Sequence, residues 1–241
     1  MKIVFTDSYE EMSRKAAIRI AQQIIMKSSS VLGFATGSTP QKTYDILGEF
    51  YLQGIVDFST ITTFNLDEYV GLDPDHPQSY SHFMEENLFQ KVNLNPDRIH
   101  IPSGIAPDLQ EVCSHYEETI QRLGGIDLQL LGIGPNGHVG FNEPGTHLNS
   151  VTHMVSLSDA TIRANSRFFQ SPDEVPKKAI TMGIKTIMGA RKILLLVSGV
   201  GKAGIIQKAL SGPVTEDLPA SVLQLHPDVT VIIDESMVGK E

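Results

Sequence analysis

The sequence holds one cysteine, Cys113, among 241 residues, so no disulfide can form within the chain, and a reducing compartment suits it. It has no apolar run near the ~20 residues that a membrane helix requires. The first residues, Met1-Lys2-Ile3-Val4-Phe5-Thr6-Asp7, turn polar after three apolar positions and are not expected to be a signal peptide. Basic charge is scarce as well. With 19 Lys and Arg against 28 Asp and Glu, the net charge is −9, which argues against general nucleic-acid binding and leaves any anionic substrate to a local positive pocket. Metal-ligand spacing is also missing. His138 and Glu143 lie five apart on a glycine-rich loop with no second His or Cys at ligand spacing, so no metal is expected. These absences describe a cytoplasmic protein without membrane or nucleic-acid partners.

Hydrophobic residues at 41% and charged residues at 20% are enough for a buried core, and the length suits one α/β domain over 1–241. Short apolar runs at Lys2–Phe5, Val31–Ala35, Ile61–Asn65, Ile126–Leu131, Ala179–Met182, Lys192–Ser198 and Val229–Ile233 read as strands. Helical stripes lie between them. Ala17, Ile20, Ala21, Ile24 and Ile25 form one; Leu109, Val112, Cys113, Tyr116, Ile120 and Leu123 form another, which places Cys113 in the core. Near-continuous apolar strands separated by helices predict a doubly wound, mostly parallel sheet covered on both faces, a modified Rossmann-like fold. Ser166–Lys178, with two prolines and mixed charge, reads as a surface excursion within a lid segment at about 157–180.

Such folds gather their working residues at the C-terminal ends of strands. After the second strand, Thr36-Gly37-Ser38-Thr39-Pro40 opens a helix, with Thr39 and Pro40 suiting its cap and first position. Free N–H groups there favour an anion; a plain capped turn is the alternative. After the third, Asp67 and Glu68 stand side by side. Two adjacent carboxylates ask for a task or a partner, so one can be a general base, with a solvated loop as the alternative. After the Ile126–Leu131 run come Asn136, His138 and Glu143, three groups able to hold or move protons within eight residues. Gly132, Gly134 and Gly137 match a dinucleotide fingerprint, but no helical stripe follows and Pro144 intervenes. The last loop, Ser198-Gly199-Val200-Gly201-Lys202-Ala203-Gly204, opens a helix. Its Lys202 suits a compact phosphate, or else is a solvated lysine, and Ala203 breaks the Walker pattern.

Phe64-Asn65-Leu66-Asp67-Glu68-Tyr69-Val70-Gly71-Leu72, Asn136-Gly137-His138-Val139-Gly140-Phe141-Asn142-Glu143-Pro144 and Ala164-Asn165-Ser166-Arg167-Phe168-Phe169 together resemble the glucosamine-6-phosphate deaminase family. The likeness runs over essentially the whole chain. It implies conversion of D-glucosamine 6-phosphate and water to D-fructose 6-phosphate and ammonia, without a cofactor. It also implies roles. His138 shuttles a proton from the O1 hydroxyl to the ring oxygen, oriented by Asn136 and Glu143; Asp67 takes the C2 proton; Thr36, Gly37, Ser38, Arg167 and Lys202 hold the phosphate.

Two features depart from the family pattern. Many members carry Asp where this chain has Asn136, which leaves Glu143 as the main charge beside His138. Ring opening is expected to survive, because orienting an imidazole needs an acceptor more than a full charge. Larger members bind N-acetylglucosamine 6-phosphate at an allosteric site using basic residues after Asn-Glu-Pro and a C-terminal extension. Here Thr146, His153 and Val155 carry no fixed positive charge and the sequence stops at Glu241. The chain therefore resembles the shorter, non-allosteric members, as a monomer or small homo-oligomer. The competing readings are 6-phosphogluconolactonase, which typically has Asp-Glu-Arg at Asp67-Glu68-Tyr69 and lacks Phe-Asn-Glu-Pro, and a sugar-phosphate sensor domain, which requires an attached helix-turn-helix. Saturation by glucosamine 6-phosphate is expected to be hyperbolic with or without saturating N-acetylglucosamine 6-phosphate. A sigmoidal titration that the effector makes hyperbolic would overturn this.

Overall fold

In chain order the strands are β1 (Lys2–Thr6), β2 (Val31–Phe34), β3 (Thr62–Asn65), β4 (Asp67–Tyr69), β5 (Ile99–His100), β6 (Leu128–Gly132), β7 (His153–Ser156), β8 (Lys178–Thr181), β9 (Ile193–Val197) and β10 (Val229–Asp234). The helices are α1 (Tyr9–Met26), α2 (Ser38–Leu52), α3 (Tyr80–Asn87), α4 (Leu109–Arg122), α5 (Asp159–Asn165), α6 (Ile184–Met188), α7 (Ala203–Ser211) and α8 (Glu235–Val238). This computed structural model describes residues 1–166, 169, 171 and 174–238.

Seven strands form one sheet in the order β1-β10-β9-β6-β2-β3-β5, every pair of them parallel. Side chains alternate across its two faces. Val31, Leu195, Val197, Val231 and Ile233 join one apolar cluster; Leu32, Phe34, Leu194, Leu196 and Ile232 join the other. Helices α1 and α2 cover the second face through Met12, Ala16, Ile20, Tyr44 and Leu47, while α4, α6 and α7 cover the first through Tyr116, Ile120, Ile187 and Ile206. Burial on both faces is why the strands read as continuous apolar runs, and the doubly wound sheet is the one expected. Cys113 is buried in α4. Among the described residues, no helix is long and apolar enough to cross a membrane.

One strand sits elsewhere than the sequence suggested. The run Ala179–Met182 becomes β8, which leaves the parallel sheet and forms the centre of a small antiparallel sheet, β4-β8-β7. A short apolar run reads alike in either sheet, and its partners are weak signals: β4 is Asp-Glu-Tyr, and β7 is half exposed. The pairing aligns Asp67 with Thr181 and so carries the chain beyond β3 over the end of the main sheet. Within the segment read as a lid, α5 and β8 are described; residues 167, 168, 170, 172 and 173 lie outside the described residues.

The end of the sheet opposite the C-terminal loops is pinned by Asp127, which is almost fully buried. Its carboxylate accepts from the Val31 N–H at 2.8 Å and from Lys27 Nζ at 2.7 and 2.9 Å, with Arg191 Nε 3.4 Å away. These contacts join the end of α1 to the starts of β2 and β6. Lys27 and Arg191 are well exposed, so their ion pairs add little; the orphaned Val31 N–H sets the cost of losing the carboxylate. Asp127→Ala should therefore lower stability by roughly 1–3 kcal/mol in urea titration, with catalytic turnover unchanged. An unaltered midpoint would contradict this account.

Candidate active site

Four consecutive strands of the main sheet, β9, β6, β2 and β3, end on one side, so their following loops form a row. At the β3 end the chain bends through Leu66, whose N–H bonds to Phe34 O at 3.0 Å and whose carbonyl accepts from Met182 N at 2.7 Å, and enters β4. Successive strand residues face opposite ways, so Asp67 and Glu68 part company. Glu68 accepts from the N–H groups of Tyr69, Tyr80 and Ser81 at 2.8–2.9 Å and thereby caps the start of α3. Burial raises its carboxyl, and those three bonds offset part of the rise.

Asp67 has no such support. It is 6% exposed, and among the described residues no donor reaches its carboxyl. Burial first, and the Glu68 charge second, push it up to about 8. The backbone of Gly140 lies against it: a Cβ there would stand 3.4 Å from Asp67 Oδ2 and 2.9 Å from Thr181 Oγ1. A buried carboxyl left without donors is poised to take a proton from something that enters beside it.

That glycine belongs to the loop after β6. The loop turns tightly, Gly134 N bonding to His138 O at 2.9 Å and Gly137 N to Gly134 O at 3.0 Å. The His138 ring lies flat on Gly134, where a Cβ would come within 2.2 Å of Cε1 and Nε2. Gly134 thus makes room for an imidazole, not for a pyrophosphate. After Gly137 the chain forms an isolated bridge between Val139 and Asn142 in place of a helix, which removes the dinucleotide reading. Glu143 is half-buried and received on both oxygens. Oε2 accepts from Asn136 Nδ2 at 2.6 Å and stands 3.7 Å from His138 Nδ1, while Oε1 accepts from the Thr161 hydroxyl and from Ser158 Oγ at 3.3 Å. Burial alone would raise this carboxyl; the neighbouring His138, Thr161 and Asn136 outweigh it and hold it down at about 2.

Asn136, expected from the sequence to orient His138, makes no hydrogen bond to the imidazole among the described residues. Its amide nitrogen goes to Glu143, and its Oδ1 accepts from the His138 backbone N–H at 3.3 Å, so it reaches the ring only through those two. His138 Nδ1 is buried, with no hydrogen-bond partner among the described residues. Ser158 and Thr161 were missed altogether. The Ser158-x-x-Thr161 spacing signals a helix start, which it is, but nothing in a sequence says that its hydroxyls face a carboxylate 18 residues earlier.

At the β9 end, Lys202 folds back over Gly199 to donate to Ile133 O at 2.9 Å, at the root of the His138 loop. Burial lowers its ammonium pKa, and among the described residues no carboxylate pairs with it. Two of its three protons stay available to an anion. At the β2 end the cap of α2 is Gly37, at φ +99°, and not Thr39, which falls inside the helix; no side chain closes the cap. Glycine suits that left-handed φ, and the helix-start N–H groups beside Thr36 and Ser38 are left to another acceptor. Arg167 lies outside the described residues. No group of three His, Cys, Asp or Glu among the described residues is placed to hold a metal. An apolar groove of about 410 Å³, lined by Ile3, Phe5, Ile206 and Leu210 among others, includes none of these proton-transfer groups.

The family model for glucosamine-6-phosphate isomerases and 6-phosphogluconolactonase matches residues 6–232. The glucosamine-6-phosphate deaminase of Halothermothrix orenii is 57% identical over 98% of both chains, and that of Clostridium botulinum is 51% identical over the whole of this chain and 98% of its own. A solved monomeric glucosamine-6-phosphate deaminase superposes with a TM-score of 0.96 at 50% identity over 98% of both chains. The 6-phosphogluconolactonase of Trypanosoma brucei superposes with a TM-score of 0.81 over 98% of this chain and 96% of its own, but at 20% identity, so that likeness concerns the fold alone. By sequence and by fold, this chain belongs to the glucosamine-6-phosphate isomerase/6-phosphogluconolactonase family.

Proposed function

We propose that the chain, acting as a single-domain cytoplasmic monomer, converts D-glucosamine 6-phosphate and water to D-fructose 6-phosphate and ammonia. The observation that carries this is the buried Asp67 carboxyl, which no donor among the described residues reaches, set by Gly140 beside the loop of His138 and Glu143. Isomerising deamination needs both groups, one to move a proton between oxygens and one to take a proton from carbon. Hydrolysis of a lactone needs no carbon base. The relatives named deaminases, at 51–57% identity, support the same choice.

His138 carries the O1 proton to the ring oxygen and opens the pyranose, while the Glu143 carboxylate stabilises the imidazolium formed on the way. Asp67 then removes the C2 proton while the substrate's own ammonium gives a proton to O1, which yields an enolamine with a hydroxyl on C1; return of the proton from Asp67 to C1 leaves an iminium at C2. Water adds to C2 and ammonia departs. Lys202, Arg167 and the Thr36-Gly37-Ser38 turn hold the phosphate and fix C1 and C2 against the two proton carriers. The direct test is ammonia release from glucosamine 6-phosphate, run beside hydrolysis of 6-phosphogluconolactone; lactone turnover without ammonia would sink the reading.

Because the base must be ionised to work and its carboxyl is raised to about 8, kcat/KM should climb with pH and level off above about 8. The same shift destabilises the fold. Between its ordinary 3.8 and about 8 the native state holds a proton that the unfolded chain has lost, so stability falls as pH rises through that window. Asp67→Asn should thus abolish ammonia release while raising stability at pH 8 by roughly 1–3 kcal/mol, with no gain at pH 4. Residual turnover near the wild-type level would assign the base elsewhere.

Lys202→Ala should lower kcat/KM for glucosamine 6-phosphate by roughly 10–150-fold, the scale of a lost bond to a charged group, and leave the slow reaction of unphosphorylated glucosamine unchanged. Equal losses for both sugars would mean that Lys202 acts only through Ile133, as a brace for the His138 loop.

A further inference from the structure

The Glu143 carboxylate divides its two oxygens between two parts of the chain. Oε2 faces the proton relay, through Asn136 and His138. Oε1 faces the first turn of α5, where it accepts from Thr161 Oγ1 and from Ser158 Oγ. In an ordinary capping box the side chain three residues past the cap turns back to the cap residue's own N–H. Here the cap is Ser158, which accepts from Thr161 N at 3.2 Å, but the Thr161 hydroxyl turns away from its helix to the carboxylate. Thr161 is buried, and the neighbouring Leu157 and Ile162 pack on the aromatic cluster of Tyr69, Tyr80 and Phe141, so the hydroxyl has a fixed platform.

A carboxylate is planar, so holding Oε1 also decides where Oε2 lies. His138 Nδ1, 3.7 Å from Oε2, is buried with no partner among the described residues, and a shift of about 0.7 Å would complete a hydrogen bond. We propose that Thr161, with Ser158 behind it, is a positioning residue of the acid–base relay: by holding Oε1 it keeps Oε2 turned to His138, ready to close on the ring as it becomes charged. This rests on the deaminase reading above. Without the hydroxyl, Glu143 can turn about its last bond, and His138 loses a fixed counter-charge when it needs one. His138 and Asn136, as well as Thr161, lower the Glu143 carboxyl, so the effect expected is one of direction and not of charge.

The test is a set of variants, Thr161→Val, Thr161→Ser, Ser158→Ala, Glu143→Gln and the double variant Thr161→Val/Glu143→Gln, each assayed for ammonia release. Thr161→Val should lower kcat roughly 10–100-fold, as lost supporting contacts do, with KM within about threefold of wild type. Thr161→Ser keeps the hydroxyl and should restore most of kcat. In the Glu143→Gln background the Val change should do nothing more, because the group through which it acts is already gone. A Thr161→Val kcat at the wild-type level, a loss confined to KM, or an equal fractional loss without Glu143 would each overturn the inference. If Thr161→Val does not fold, Ser158→Ala decides, and an unchanged kcat there counts against it. The ¹⁵N signals of the His138 ring, identified from a His138→Gln spectrum, give a substrate-free reading: they should move in Thr161→Val and stay in Thr161→Ser. A wild type that releases no ammonia would remove the deaminase reading, while signals unmoved in Thr161→Val would remove this one.

Discussion

Burial of the central sheet on both faces leaves the chain few places for solvated chemistry. Polar side chains along β6, β9 or β10 would meet helices on either side, so the groups that can exchange protons or hold an anion collect in the loops beyond the strands' C-terminal ends. The order β9-β6-β2-β3 then sets those loops in a row. Lys202, the His138 loop, the open start of α2 and Asp67 come from four distant parts of the sequence and share one side of the sheet for that reason alone. The opposite end, tied by Asp127, can be spent on stability because nothing reactive is placed there.

Within the row, neighbouring acids are sorted by the partners they receive. Glu68 obtains three backbone N–H groups and becomes part of the frame. Asp67, one residue earlier and facing the other way, obtains none among the described residues and is raised to about 8. Glu143 is the reverse case. Partners on both oxygens hold it at about 2, so it is a permanent anion beside His138. On the deaminase reading proposed above, a carboxyl that can gain and lose a proton and one that keeps its charge would supply the division of labour in an aldose–ketose rearrangement with ring opening. Stability is sacrificed at Asp67 to obtain it, which is the usual state of a working site.

Close approach explains the glycines better than any nucleotide motif does. Gly134 lies under the imidazole, where a Cβ would come within 2.2 Å of the ring, and Gly140 lies beside the Asp67 carboxyl, where a Cβ would meet Thr181 Oγ1 at 2.9 Å. A fingerprint of spaced glycines records only that backbone must come near something. What it comes near is decided by the element that follows, here an irregular bridge rather than a helix.

The sequence by itself determined the two-sided parallel sheet, because several apolar runs without alternation, separated by helical stripes, are best buried on both faces, and it marked the loops to watch through the Asp, His, Glu, Lys and Gly that follow those runs. It also placed Cys113 in the core, from its position in a helical stripe. Tertiary structure decided what depends on partners. The three-stranded antiparallel sheet was illegible because β4 is three polar-to-aromatic residues and β8 is too short to name its sheet. Which of Asp67 and Glu68 goes unpartnered could not be read, since strand alternation separates them but only the docking of α3 supplies Glu68 with donors. The α2 cap passed from Thr39 to Gly37 because the chain needed a positive φ where it leaves β2. And Thr161 meets Glu143 only because α5 folds back over the His138 loop, a contact between side chains that no local pattern encodes.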